Sequence, residues 1–317
     1  MKKIVYSLLI AAGIVSCDKV TNIFPENSYD TDLNIALYPG AWQDYLDTQW
    51  PDFETITASS NRNVLVDDFT GHNCQYCPAA ASVAHHLHEQ NPERVFVSSI
   101  HSAPNGISNF QVVTSNYPVQ FTNTNGLELG TFFGSIPTLG FVGNPSVGAN
   151  RVPYPGETDI FYPAGALQQQ VTNVLATSPK VLLKAVANYY PSTKGTFLHI
   201  EADVDGSITN NVGVIAVIQQ DSLVAPQNVN ATYTPDYVHR DIHLGNVGGN
   251  TWGVTLSDGM KKENGKYYVD YSFILINLLT LDGANNQHDP SRIHFLVYAY
   301  DKVTHEVYQV IKVKIPQ

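Results

Sequence analysis

The sequence predicts an α/β domain followed by an antiparallel all-β sandwich, with an exported extension in front. Three observations carry this expectation. Apolar strand-like runs alternate with helical periodicity between Asn63 and Ala176, the pattern of a sheet with helices on its faces. From Val181 onward strand-like runs follow one another with no convincing helix between them. The composition agrees: tyrosine (18), glycine (22) and proline (18) are plentiful and charged residues make up only 14%, while 43% hydrophobic residues over 317 positions suffice for two cores.

The N-terminus reads as an export signal over residues 1–16. Lys2 and Lys3 precede the apolar run Ile4 to Val15, too short for a permanent bilayer span. The run ends in Ile14-Val15-Ser16-Cys17, which resembles a bacterial lipobox and makes Cys17 the lipidated first residue of the mature chain. Residues 17–60 are polar and acidic, Lys19 being almost alone among Asp18, Glu26, Asp30, Asp32, Asp44, Asp47, Asp52 and Glu54. They read as a tether with one short helix around Ala41 to Leu46.

The α/β domain is expected over 61–178. Val64 to Phe69 reads as a buried strand, and Pro78 to Gln90 as a helix with its alanines, Val83 and Leu87 on one face, stopped by Asn91-Pro92. Val95 to Ile100 is a second strand. Residues 101–130 read as an insertion with a helix before Phe132-Phe133-Gly134, Thr138 to Val142 as a third strand, and Ala164 to Ala176 as a closing helix. The boundary falls at Ser178-Pro179. Over 179–317, strands are expected at Val181–Tyr190, Thr196–Val204, Val212–Gln219, Tyr267–Asn277, Ile293–Tyr300 and Val307–Ile315, punctuated by Asp205-Gly206 and Asp258-Gly259.

Cysteine usage narrows the chemistry. With Cys17 given to lipid, one pair remains in an exported, oxidising compartment: Cys74 and Cys77, in TGHNCQYCPA. Too few thiols are left for a four-cysteine zinc site. A CxxC at a helix start after a buried strand has a physical logic: unpaired backbone N–H groups and the positive end of the helix dipole favour a thiolate at the first cysteine. The second, one turn in, is close enough to form the disulfide and release a mixed-disulfide partner. Pro78 costs little so near the helix start.

The segment resembles the thioredoxin fold at three places: Val66-Asp67-Asp68-Phe69 with Asp68 six residues before Cys74, the CxxC itself, and Ile136-Pro137-Thr138. The resemblance implies that Asp68 is the buried acid moving the proton of Cys77, and that Pro137 is a cis proline shaping the substrate groove. Asn73 stands where tryptophan is usual, and His72 is the nearby cation in place of lysine. More broadly, Phe69-Thr70-Gly71-His72-Asn73-Cys74 through Cys77-Pro78, with Tyr237-Val238-His239 and Thr251-Trp252-Gly253, resembles the twenty-eight-kilodalton outer-membrane lipoproteins of Gram-negative gut and oral bacteria. That resemblance implies a lipid-anchored outer-membrane protein with a thioredoxin-like α/β/α domain and an immunoglobulin-like tail.

Other clusters are expected to be structural. His85, His88 and Glu89 share a helix face beside His86 and read as a polar face rather than a metal site. His239, Asp241 and His243 read as projecting from one strand face without a further ligand. Asn285 to Pro290 lacks the spacing of a calcium loop. No Gly-x-Ser-x-Gly elbow or phosphate-binding loop occurs, so neither a serine hydrolase nor a nucleotide site is expected, and no cofactor or metal. Net charge of −11 with no basic stripe argues against nucleic acid. Two functions remain: thiol–disulfide exchange on exported proteins or peptides, or a non-catalytic surface lipoprotein in which Cys74–Cys77 is a staple.

Overall fold

All seven residues of β1 (Val64–Thr70) are buried, as are those of β2 (Val95–His101), so these strands lie inside the sheet with both faces covered. The computed structural model describes residues 33–208, 211–275 and 290–316. Cys17, the export signal, the start of the tether, the end of the strand expected at Tyr267–Asn277 and most of Asn285–Pro290 lie outside the described residues.

Between β1 and β2 runs α2 (Cys77–Gln90), after α1 (Trp42–Thr48) near the N-terminus; α3 (Thr124–Gly134), β3 (Ser146–Ala149) and α4 (Leu167–Leu175) follow. β1 pairs in parallel with β2 and antiparallel with β3. On one face Val64, Val66 and Val147 pack against Ala84 and Leu87 of α2 and Val171 of α4. On the other, Phe69 meets Phe133 of α3, Phe141 and Phe161 at ring distances of 4.3–6.5 Å. Each such aromatic, fully buried, contributes about 1.5–3 kcal/mol.

The strand expected at Thr138–Val142 does not form. Pro137–Leu139 is a single 3₁₀ turn closed by Gly140 at φ 81°, and Val142 is 86% exposed. A Cβ on Gly140 would lie 2.2 Å from the Phe161 carbonyl, so only glycine makes this turn. The third strand is β3, eight residues further along.

The second half supplies β4 (Val181–Tyr190), β5 (Gly195–Val204), β6 (Val212–Gln220), β7 (Leu223–Val229), β8 (Thr232–His239), β9 (Ile242–Asn246), β10 (Val254–Thr255), β11 (Lys261–Glu263), β12 (Lys266–Ile274), β13 (Ile293–Asp301) and β14 (Val307–Lys314). The β7–β8 hairpin is not among the strands expected from the sequence, and the strand face expected across His239–His243 is divided between β8 and β9. Strands of both halves join in one mixed sheet, ordered β14-β13-β6-β9-β2-β1-β3 with β10 on β6. The joint is narrow: β2 and β9 share one parallel pair, Ser99 with Ile242, and the Ser99 N–H donates to the Asp241 carbonyl at 2.9 Å. A separate antiparallel sheet, β11-β12-β5-β4, packs on β6, β9 and β13 through Leu198, Ile200, Val214, Ile218, Phe295 and Val297.

Behind the joint lies a buried ion pair. Arg151 (1% exposed) donates from Nε to Asp67 at 2.8 Å and from Nη2 to the Tyr298 hydroxyl of β13 at 3.2 Å. Residues 33–60, expected as part of a tether, fold against β4, β5 and β12. Tyr45 of α1 is fully buried against Phe197, and its hydroxyl donates to His199 Nε2 at 2.6 Å. An aromatic-rich stretch of this kind buries too much apolar surface to stay extended in water.

Candidate functional site around Cys74 and Cys77

β1 ends at Thr70, and the chain turns through Gly71–Tyr76 into α2, whose first residue is Cys77 and whose second is Pro78. The turn is closed by Cys74 N–H to the Gly71 carbonyl (3.1 Å) and Cys77 N–H to the Cys74 carbonyl (3.3 Å). Cys74 and Cys77 form a disulfide with Cα atoms 5.4 Å apart.

Two segments clamp this loop. From the insertion, the Phe110 carbonyl accepts from Asn73 N–H (3.0 Å), and the Val112 carbonyl accepts from His72 Nε2 (3.0 Å). A Cβ on Gly71 would sit 2.6 Å from the Phe110 carbonyl, so glycine is required for this approach. From the opposite side comes the β7–β8 hairpin. Gln227 Nε2 donates to the carbonyls of Gly71 (3.3 Å) and Cys74 (3.2 Å), while the N–H groups of Asn228 and Asn230 donate to His72 (2.8 Å) and Gln75 (3.1 Å). Tyr117 ties the segments together, stacked on His72 at 5.4 Å and edge-on to Tyr233 at 5.8 Å. Both cysteines are consequently 1% exposed, whereas Tyr76 between them is 63% exposed.

Asp68, near the end of β1, is 0% exposed, and neither carboxyl oxygen has a hydrogen-bond partner among the described residues. Desolvation raises its pKa from the ordinary 3.8 to about 7. Asp68 and Cys77 border one cavity of about 520 Å³, together with Ser82 and His86 of α2, His101, Gln227, Tyr237 and His239. His101 and His239 flank Phe121 at ring distances of 4.4 and 4.5 Å. Burial keeps both imidazoles neutral, His239 falling to about 3 and His101 well below its usual range. His101 Nδ1 and His239 Nε2 lack partners among the described residues. The arrangement places a neutral or singly charged acid and two neutral bases around a cavity that Cys77 also borders.

Pro137 requires correction. The bond before it is trans; the cis peptide is Asn144–Pro145, immediately ahead of β3. Gln111 links that segment to the CxxC loop, donating from Nε2 to the Thr70 carbonyl (2.7 Å) and to Asn144 Oδ1 (3.2 Å). Ile136-Pro137-Thr138 matches the motif in letters, but Ser146–Ala149 is the segment that pairs with Val66–Phe69.

The histidine clusters disperse. His85 Nδ1 faces Asp241 at 3.6 Å, His88 Nδ1 donates to the Val95 carbonyl at 2.6 Å, and His86 meets Gln90 at 3.1 Å. His239, Asp241 and His243 do not share a strand face, because Asp241 at φ 46° turns the chain between β8 and β9. His239 borders the cavity, while His243 accepts from Asn123 Nδ2 at 3.2 Å. Among the described residues no group of three histidine, cysteine or acidic side chains is arranged to hold a metal.

Gln111, Gln227, Asn228 and His101 are the site residues that sequence reasoning missed. The hairpin carrying two of them turns on Asn230-Ala231, both at positive φ, without the glycine that would signal such a turn.

No family model matches the chain, and no curated protein is similar to it in sequence. Among solved structures, HBP35 of Porphyromonas gingivalis aligns over 82% of this chain and 77% of its own, with a TM-score of 0.57 and 18% identity. A domain of the outer membrane lipoprotein Omp28 from Porphyromonas gingivalis aligns over 43% of this chain and 88% of its own, with a TM-score of 0.27 and 19% identity. The first likeness shows a shared fold; the second is too slight to carry an argument.

Proposed function

We propose that this chain is a thiol–disulfide exchange protein of thioredoxin-like build, extended by an immunoglobulin-like β-portion and anchored at the outer membrane through lipid on Cys17. Its substrates are exported proteins or peptides. Asp68 carries the reading. A buried carboxyl without partners costs stability and contributes nothing to the fold, yet it borders the cavity that reaches Cys77. In exchange, the Cys74 thiolate attacks a substrate disulfide and a substrate thiolate leaves. Cys77 then gives its proton to Asp68, attacks Cys74 within the mixed disulfide and releases the reduced substrate. The dipole at the N-terminus of α2 favours the thiolate form.

A second reading has its own observation. Both cysteines are 1% exposed and the loop carbonyls are taken by the β7–β8 hairpin, which suits a permanent staple in a non-catalytic surface lipoprotein. Titration against glutathione separates the two. A reduction potential around −120 to −230 mV, with reduction of insulin, supports exchange; a value below about −300 mV with no insulin reduction overturns it.

A further inference from the structure

Both sulfurs are buried, so the side from which each can be reached decides what can react with it. Cys74 lies under the β7–β8 hairpin, whose Gln227 holds its carbonyl. Cys77 borders the cavity of about 520 Å³, and Cys74 does not. A cavity bordered by Cys77 and not by Cys74 offers approach from the Cys77 side of the pair, and exchange requires the entering sulfur to reach the atom it attacks. A cavity of about 520 Å³ has room for a molecule of a few hundred daltons. Its wall carries three polar side chains that are nine-tenths or more buried and have an unpartnered atom: Asp68, His101 and His239. Unsatisfied groups in such a wall can be matched by water or by a polar guest.

We propose that a low-molecular-weight thiol enters this cavity and reduces the disulfide by attack on Cys77, while protein substrates meet the pair at Cys74. The inference rests on the exchange reading above and adds the reductant class and its point of entry. The thiol gives its proton to the Asp68 carboxylate, which is available in part near neutral pH because desolvation brings its pKa to about 7. The thiolate forms a bond to Cys77 Sγ, the Cys74–Cys77 bond breaks, and Cys74 leaves as a thiolate that takes up the proton. A second thiol attacks the outer sulfur of the mixed disulfide and Cys77 leaves. Two small thiols are oxidised to one small disulfide, and the protein disulfide gains two electrons.

The test uses the oxidised full-length protein and reduced glutathione as probe. After rapid acid quench and blocking of free thiols with N-ethylmaleimide, peptide mass spectrometry is expected to find glutathione on Cys77 and maleimide on Cys74. Glutathione on Cys74, or equally on both, overturns the proposal. In parallel, Ser82→Trp fills the cavity from an exposed position of α2, where the fold tolerates it. Its ratio of reduction rate by glutathione to that by a protein dithiol is expected to fall about tenfold; an unchanged ratio overturns the proposal. If the protein dithiol reduces the pair and glutathione does not, this inference alone falls. If neither does, the exchange reading falls with it.

Discussion

Gln227 Nε2 donates to two carbonyls of the CxxC loop at once, Gly71 at 3.3 Å and Cys74 at 3.2 Å. One amide from the second half of the chain thereby holds the loop in which the first cysteine sits. Removing it leaves two buried carbonyls without that donor.

Gln227→Ala is therefore expected to cost about 1–3 kcal/mol in urea unfolding. If the hairpin is what covers Cys74, the same loss appears as easier opening, and reduction by a protein dithiol accelerates by a factor of roughly 5–30. A variant that loses stability with no gain in rate excludes the hairpin as the cover.

Asp67 and Arg151 form a pair that is almost wholly buried, with the guanidinium also lying 5.2 Å from the Phe133 ring centroid and 5.4 Å from that of Tyr298. Asp67→Asn keeps the shape and leaves a buried cation uncompensated, so a loss of about 3–5 kcal/mol is expected. The double change Asp67→Leu with Arg151→Met removes both charges and is expected to recover most of it, as a double-mutant cycle in urea will read directly. Additive losses in that cycle contradict the coupling.

Much of this architecture was legible in the sequence. The strands β4, β5, β6, β13 and β14 lie within a residue or two of where alternation and turn residues put them, because each has a continuous β-branched or aromatic run between clear stops. The start of α2 was legible from Pro78 at the helix start and the alanine-rich run behind it. What was not legible depends on distant partners. β8 carries Pro235 and follows a turn without glycine, so nothing local marks the hairpin that reaches the CxxC loop. The cis proline was assigned by letters to Pro137, whereas Pro145 is distinguished only by the pairing of the strand after it with β1. That strands of both halves share one sheet follows from a single contact, Ser99 with Ile242, which no periodicity encodes.

The N-terminal segment gives a further test. His199 Nδ1 donates to Asp270 at 2.6 Å, leaving Nε2 to accept from the Tyr45 hydroxyl, which in turn accepts from Asn188 Nδ2 at 3.0 Å. Tyr45→Phe preserves the packing against Phe197 and Trp42 but strands the buried imidazole nitrogen. A loss of about 1–3 kcal/mol is expected, together with faster proteolysis within residues 33–60. Cleavage at the wild-type rate speaks against this latch.

Asp68 connects stability to chemistry through pH. Its pKa is 3.8 ordinarily and about 7 in the fold, so the folded chain holds a proton that the unfolded chain has released between those values. Stability attributable to this group is complete below pH 4 and is lost as pH rises through about 7, after which it stays flat. At about 1.4 kcal/mol per pKa unit the full swing is on the order of 4 kcal/mol. Asp68→Asn cannot ionise, so its unfolding free energy is expected to lose this slope between pH 4 and 7 and to exceed wild type at pH 8 by about 2–4 kcal/mol. Exchange is expected to move the other way: with no carboxylate to receive the proton of Cys77, insulin reduction slows by about 10²-fold or more and loses its inflection near pH 7. A variant that is more stable at pH 8 but equally active leaves Asp68 a buried acid without a catalytic part, and the exchange reading would then lose the observation on which it rests.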